Sequence, residues 1–269
     1  MKNKLIAAPY LVWMFVFILV PLIMVAYFAF TDKDGNFTLD YVADVAQYSQ
    51  IFIRSIWLAA IATVICLVIS YPLAYILTGF SKNTQSTMLM IVMLPMWMNF
   101  LLRTYAWMTM LGNNGIINTI LGFIGLGPFK MLNTEDAVVL GMVYNYLPYM
   151  ILPLYSVMIK IDKSVIEAAS DLGCNPWKTI LRVVFPLSLP GVMSGITMVF
   201  VPAISTFIIS RMLGGGGNLL IGDLIEMQFL GNAYNVNLGA AISLVLMVII
   251  LLIMTIMNQF DNDDGAVLL

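Results

Sequence analysis

The sequence contains no histidine, and only 10% of its 269 residues carry a charge. Without histidine, the chain lacks the side chain that proteins use most often as a general base and as a nitrogen ligand for metals. Its two cysteines, Cys66 and Cys174, can form neither a disulfide framework nor a zinc site. The net charge of −2 and the lack of a long basic tract argue against a nucleic-acid partner. We therefore expect neither a metal cofactor nor nucleic-acid binding.

Hydrophobic residues, in contrast, make up 61% of the chain, and its mean hydropathy is +0.97. A soluble domain has about 45–50% apolar and about 25% charged residues, so this chain has too little polar surface to stay in water. Its long charge-free stretches match the roughly 20 apolar residues with which a helix crosses a bilayer. We predict an all-α integral membrane protein with six transmembrane helices. Their predicted limits are 8–30, 55–79, 87–111, 137–159, 187–210 and 236–258.

The first predicted span follows Lys2 and Lys4, as the core of a signal peptide would. Its apolar run is longer than the roughly 7–15 residues of such a core, so we interpret it as a retained span. One set of connecting segments contains seven Lys and Arg residues and the opposite set contains four, which predicts cytoplasmic termini. The expected organisation is a first helix with its outer loop (1–51), a membrane core (52–258) and a short acidic tail (259–269).

The segment 160–186, between the fourth and fifth predicted spans, contains the clearest local signals in the sequence. Asp162 or Ser164 can cap a short helix, and Gly173 can end it because glycine accepts a positive φ without steric cost. Asn175 precedes a proline, a pair typical of the cap and first residue of a second helix. Two short helices are therefore expected on the cytoplasmic side. The alternative is an ordinary amphipathic connection that lies on the lipid headgroups.

This segment also resembles the EAA motif of the permease subunits of ATP-binding-cassette (ABC) importers. The motif stands here as Glu167, Ala168 and Ala169, followed by Gly173 and by an apolar ending with proline at 183–186. The resemblance implies the type I importer fold, called MetI-like, with a coupling helix that docks on a separate ATPase. It also implies that the two alanines let this helix lie close to the ATPase, that Glu167 pairs with a basic group or braces the loop, and that Gly173 permits the turn.

The resemblance further implies a set of partners. These are an ATPase dimer, a second homologous permease subunit, a substrate-binding protein outside the inner membrane of a bacterial cell, and membrane lipid. The chain contains no Gly-Lys-Ser/Thr sequence, so any ATP must be bound and hydrolysed by the ATPase. We therefore expect a transport subunit without a cofactor of its own, and not an enzyme.

Arg103 is the one charged residue within the predicted spans. A charge within a membrane is costly, which makes it a candidate functional residue. Trp97, Asn99 and Tyr105 lie near it in the sequence and add polar and aromatic groups. The alternative is that Arg103 lies near the outer end of its span and extends to the headgroups.

The sequence around Arg103 resembles the third-span signature of spermidine/putrescine permeases, in particular their PotB-type subunits. The signature reads Pro-x-Trp at 95–97 and Arg-Thr-Tyr-Ala-Trp at 103–107. The stretches 9–32 and 213–226 resemble the opening span of the same subunits and the connection between their fifth and sixth spans. The resemblance implies transport of polyamines, which need carboxylates for their charge and aromatic faces for cation–π contacts.

Four further residues are candidates for contacts along the substrate pathway: Tyr144, Tyr146, Asp223 and Glu226. For the two tyrosines the alternative is packing inside the protein with satisfied hydroxyl groups. For the two acids the alternative is a solvated outer loop. No carboxylate is predicted deep within a span.

Other functions stay open at this point. A related importer for thiamine or ferric iron would share the same scaffold. A stand-alone secondary transporter or channel would show inverted repeats and ionisable residues in the middle of its spans, and neither is evident. A membrane enzyme would need clustered acidic or histidine ligands, whereas Asp162, Glu167 and Asp171 have spacings that suit a docking helix better.

Overall fold

The computed structural model describes residues 8–217, 219–231 and 233–265, and the regular elements in these ranges are all helices. They are α1 (Pro9–Ala29), α2 (Asp40–Thr78), α3 (Lys82–Trp97), α4 (Phe100–Leu111), α5 (Ile116–Phe123), α6 (Glu135–Met158), α7 (Lys163–Asp171), α8 (Pro176–Ile204), α9 (Ile208–Leu213), α10 (Ile221–Leu230) and α11 (Val236–Gly265). Lys2, Lys4, Asn218 and the end of the tail at 266–269 lie outside the described residues.

The core is formed by α2, α6 and α8, which pack against one another. Most buried positions of α2 recur every three or four residues, and several hold small side chains: Ala59, Ala62, Cys66, Ser70 and Ala74. Small residues let helices approach closely in a membrane, where van der Waals packing holds helices together. Gly195 of α8 has the same effect, because a Cβ there would lie 2.6 Å from the Met150 sulfur of α6. This three-helix core holds the remaining helices in place.

The predicted number of spans agrees with the structure. Five of the described helices are long and apolar enough to cross a membrane, namely α1, α2, α6, α8 and α11, and a sixth crossing results if the bent pair α3–α4 is one span. The first and last of these, α1 and α11, pack against each other. The last helix runs to Gly265, beyond its predicted end at 258 and into the predicted tail.

The third span is not the single helix predicted over 87–111. It is broken after Trp97, and the axis of α3 differs by 87° from that of the second part, Phe100–Phe123, which comprises α4 and α5. The Asn99 side chain accepts the N–H groups of Leu101 and Leu102, at 2.8 and 3.4 Å, and so begins a new helix in the middle of the span. Local hydrogen bonding by asparagine therefore overrides the continuous apolar pattern.

The fifth span also differs from its predicted limits of 187–210. It starts at Pro176, because a π-helical turn at Ile180–Val184 carries the helix past Pro186 without a break. It ends at Ile204, where the Ser205 hydroxyl donates to the Val201 carbonyl at 3.2 Å. The residues that follow form α9 and α10, so much of the connection between the fifth and sixth spans is helical.

Candidate functional site

The segment after α6 folds into α7 through hydrogen bonds within itself. The Asp162 carboxylate accepts the Ser164 N–H at 3.0 Å and caps the first turn of α7. Of the two candidate caps, Asp162 is therefore the one that the structure uses. The hydrogen bonds from Ser164 lower the pKa of the Asp162 carboxyl below its ordinary value, so this cap is a full charge at neutral pH.

The turn after α7 is centred on Gly173, whose φ is +83°. The Cys174 N–H donates to the Ala169 carbonyl at 3.0 Å and pairs one of the carbonyls that a helix end leaves free. Asn175 then accepts the Lys178 N–H at 2.8 Å and begins α8. The turn predicted at Gly173 is confirmed. The expectation of a second, separate short helix is wrong, because this helix is the first turn of α8.

The three residues of the EAA motif lie on different faces of α7. Glu167 and Ala168 are exposed, whereas Ala169 is only 7% exposed and packs against the rest of the chain. The expectation that both alanines face a partner is therefore wrong for Ala169, since neighbouring helical residues point in different directions. Around the turn, Leu172 and Trp177 are 87% and 67% exposed. Large apolar side chains exposed in this way are candidates for contact with a partner or with lipid.

A cavity of about 360 Å³ lies between α7 and the ends of α2 and α6. Lys163 and Glu167 line it from α7, Tyr75 and Thr78 from α2, and Met158 from α6. Glu167 therefore stands between the exposed surface of α7 and the membrane helices.

Arg103 lies on the inner face of α4 and is only 8% exposed. Its Nε and Nη1 atoms have no hydrogen-bond partner within the described residues, and its guanidinium carbon lies 5.8 Å from the centre of the Phe100 ring. The alternative that Arg103 extends to the headgroups is wrong, because the side chain is enclosed by the protein. A charge within a membrane span is costly, so Arg103 stays a candidate functional residue.

Trp97 and Asn99 lie at the break between α3 and α4, and Tyr105 lies within α4. The Trp97 and Tyr105 side chains are 74% and 56% exposed, unlike that of Arg103. Asn99 is also exposed, and its carbonyl oxygen is engaged in capping α4. The structure thus presents two aromatic faces at the surface of the chain, beside a break in the middle of a span.

The two tyrosines of α6 are part of the helix packing. The Tyr144 ring contacts the Trp107 ring edge to face, with 5.4 Å between the ring centres. The Tyr146 side chain is buried and its hydroxyl donates to the Pro202 carbonyl of α8 at 3.2 Å. The packing alternative therefore fits Tyr146, whose hydroxyl is satisfied, while Tyr144 stays a candidate for the substrate pathway.

Asp223 is buried, so the alternative that it lies in a solvated outer loop is wrong. The Ser210 hydroxyl donates to the Asp223 Oδ2 atom at 2.5 Å, and the Leu220 N–H donates to the same oxygen at 3.0 Å. Burial raises the pKa of the Asp223 carboxyl, and these two hydrogen bonds oppose the rise. The carboxylate thus holds α9 and the start of α10 together.

Glu226, one turn after Asp223, is paired with Arg211 of α9. The guanidinium group donates to both carboxylate oxygens, and the Nη1–Oε1 distance is 3.0 Å. The Glu226 charge is therefore balanced within the chain. The predicted pathway residues consequently lie in separate places: the break in the third span, the interior between α6 and α8, and the α9–α10 segment.

Sequence reasoning missed polar contacts that join distant helices. The Ile221 N–H donates to the Ser55 hydroxyl of α2 at 2.9 Å. The Tyr155 hydroxyl of α6 donates to the Gln85 Oε1 atom of α3 at 3.0 Å. In the sequence, each of these contacts is marked only by a polar residue at or near the end of an apolar run. Such a residue does not identify the residue to which it will be hydrogen-bonded.

A family profile for the inner membrane component of binding-protein-dependent transport systems matches residues 1–262. The chain belongs to this permease family. The permease is 36% identical to the spermidine/putrescine transport system permease protein PotB of Haemophilus influenzae over 261 residues, 93% of this chain and 91% of that protein. It is 35% identical to PotB of Escherichia coli K12 over 247 residues, 88% and 90% of the two chains.

The permease also matches a solved structure, that of a bacterial ABC transporter involved in the import of the acidic polysaccharide alginate. The TM-score is 0.78 at 20% identity, and the match covers 97% of the permease and 96% of that chain. At this identity the similarity concerns the fold alone. The resemblance to ABC importer permeases and the expected type I fold are thus confirmed, and the permease is a multi-pass component of the inner membrane.

Proposed function

We propose that the permease is the transmembrane subunit of an ATP-driven importer that carries polyamines such as spermidine and putrescine into the cell. The observation that carries this proposal is the 35–36% identity to PotB proteins over nearly the whole chain. The exposed rings of Trp97 and Tyr105 support it, since aromatic faces attract polyammonium chains through cation–π contacts.

In this proposal α7 is the coupling helix of the importer. Glu167 and Ala168 meet a groove of the ATPase dimer, together with exposed apolar residues such as Leu172. Gly173 sets the direction of the chain after α7, and Ala169 anchors α7 to the permease itself. ATP is bound and hydrolysed by the ATPase, so the permease needs no cofactor.

The pore forms between the permease and a second, homologous permease subunit. The exposed rings of Trp97, at the break, and Tyr105, within α4, face that subunit and the substrate pathway. Arg103 stays behind this face and adds a fixed positive charge near the break. A substrate-binding protein delivers the polyamine on the outer side, and both termini lie in the cytoplasm.

Transport follows from movement of α7. Closure of the ATPase dimer on ATP displaces α7, and the space beside it lets the helix move before the core does. The membrane helices then change between inward-open and outward-open arrangements. The polyamine passes the break between α3 and α4 during this change.

Uptake into vesicles tests the proposal. Vesicles that contain the permease with its ATPase, second permease and binding protein are given radiolabelled spermidine, putrescine, thiamine or ferric iron, each with and without ATP. We expect ATP-dependent accumulation of a polyamine and of neither other solute. ATP-dependent accumulation of thiamine or iron instead would retain the importer and reject the polyamine.

A further inference from the structure

Gln85 has an unusual place in α3. Of the sixteen residues of this helix, all of which the structure describes, it is the one that is buried. Its side chain is 7% exposed, whereas its neighbours Ser86, Thr87 and Met88 are exposed. Near its cytoplasmic end, α3 is therefore held to the rest of the permease by the Gln85 amide and not by an apolar side chain.

The amide group of Gln85 makes three of its four possible hydrogen bonds. Its Nε2 atom donates to the Thr78 carbonyl at 3.2 Å and to the Phe80 carbonyl at 2.9 Å. Its Oε1 atom accepts the Tyr155 hydroxyl at 3.0 Å. One side chain thus joins the end of α2, the start of α3 and the last turns of α6.

Two of these partners adjoin the coupling helix. Thr78 lines the cavity whose opposite wall is formed by Lys163 and Glu167 of α7. Tyr155 lies one turn before Ile159, the residue from which the chain leads into α7. Both residues therefore lie where a displacement of α7 would reach them first.

The other end of α3 carries the break. From Gln85 the helix continues to Trp97, with side chains that are exposed or only half-buried along the way. A helix fixed at one end and loosely packed along its length moves as a lever, so a small rotation at Gln85 becomes a larger displacement at the break.

We propose that Gln85 is a positioning residue that transmits the movement of α7 to the broken span. It acts through Thr78, Phe80 and Tyr155 and touches neither substrate nor ATP. This inference rests on the proposed function, because it requires that an ATPase moves α7.

The test uses the complete transporter in vesicles, with Gln85→Leu and Tyr155→Phe as variants. Leucine keeps the approximate size and removes every hydrogen bond, and phenylalanine removes only the hydroxyl group. Thr87→Val is the matched control, because Thr87 is exposed on the same helix and its hydroxyl donates to the Asn83 carbonyl of that helix. Uptake and ATP hydrolysis are measured in the same vesicles.

We expect Gln85→Leu to lower the number of molecules carried per ATP by about fivefold, with ATP hydrolysis nearly unchanged. Tyr155→Phe should act in the same direction but more weakly, and the double variant should be no worse than Gln85→Leu alone. Thr87→Val should match the unmodified permease. Equal losses of uptake and hydrolysis in both variants would indicate a merely structural role and overturn the inference, as would unchanged uptake per ATP.

Spin labels supply a readout that does not depend on the substrate. Labels at the exposed residues Met90 of α3 and Val68 of α2 report the position of α3 relative to α2. With ATP trapped in the ATPase, their distance should change in the unmodified permease and stay fixed in Gln85→Leu. If the unmodified transporter carries no polyamine but shows this change, the proposed substrate is wrong while the role of Gln85 stands.

Discussion

The coupling segment (160–186) and the outer segment (205–235) are similar in length but are stabilised in opposite ways. In the coupling segment the capping bonds are local, as between Asp162 and Ser164, and apolar side chains such as Trp177 are exposed. In the outer segment Asp223 is buried against Ser210, and the backbone of Ile221 is bonded to α2.

This difference indicates different mechanical roles. Apart from Ala169 and from residues 176–186, which belong to α8, the coupling segment is held by its own caps, which suits a surface that follows a partner. A segment whose polar groups are buried against other helices moves only if those groups lose their partners, at a cost of about 1–3 kcal/mol each. In the proposed mechanism the outer segment therefore keeps its ends of the helices together while the coupling segment moves.

The largest effect is expected for Gly173→Val. Its φ of +83° costs a residue with a side chain about 1–2 kcal/mol, although no atom lies within 4 Å of the added Cβ. The turn should therefore change direction, and ATP-driven uptake should fall by about tenfold while the core stays folded.

Gly125→Val is the matched control for this change. Gly125 has a φ of +75° and equally open space around its Cβ position, but it lies in the loop after α5. Gly125→Val forces the same unfavourable backbone conformation on a valine, yet this variant should retain most of the uptake. Equal losses in the two variants would mean that strain alone, and not the coupling turn, explains the result.

The next largest effect is expected for Asp223→Ala in the outer segment. The Ser210 hydroxyl and the Leu220 N–H would both lose their acceptor in a buried position. The free energy of unfolding in detergent should fall by about 1–3 kcal/mol for each group. Asp34→Ala, at an exposed position, serves as the control in the same thermal unfolding measurement. A variant as stable as its control would show that the outer segment is not held by Asp223.

A smaller and local effect is expected for Asp162→Ala. Without its cap, α7 should fray, and its amides should exchange with solvent roughly fivefold faster. Because the pKa of Asp162 is lowered in the folded state, the charged cap contributes above the ordinary pKa of an aspartate, and the contribution is lost as pH falls through the lowered value. The global unfolding temperature should not change, since α7 is held locally. A clear drop in that temperature would contradict the distinction between the two segments.

The smallest effect is expected for Glu226→Gln. Its partner Arg211 is half-exposed, and exposed ion pairs contribute about 0–1 kcal/mol. The loss should disappear at high salt, because ions screen the pair. A loss as large as that of Asp223→Ala, independent of salt, would place Glu226 in a role other than this surface pair.

The parts of the structure that local sequence determines could be predicted. The cap at Asp162, the turn at Gly173 and the cap at Asn175 each depend on a few adjacent residues. The apolar stretches likewise predicted the spans, because the length of a membrane helix is set by the bilayer.

The rest depends on residues that meet only in the folded chain. Asp223 is buried because Ser210, thirteen positions away, supplies a hydroxyl group, and Gln85 is buried because Tyr155, seventy positions away, supplies another. The break at Asn99 contains a local signal, a capping asparagine, but it lies within an apolar run that predicts a continuous helix. Each of these side chains is polar, and its partner decides whether it faces solvent or the interior.

The most direct measurement of the central claim compares uptake by the complete transporter with uptake by the permease alone, in otherwise identical vesicles. The account predicts that radiolabelled spermidine accumulates only when ATPase, second permease, binding protein and ATP are all present. Accumulation by the permease alone under an ion gradient would contradict it.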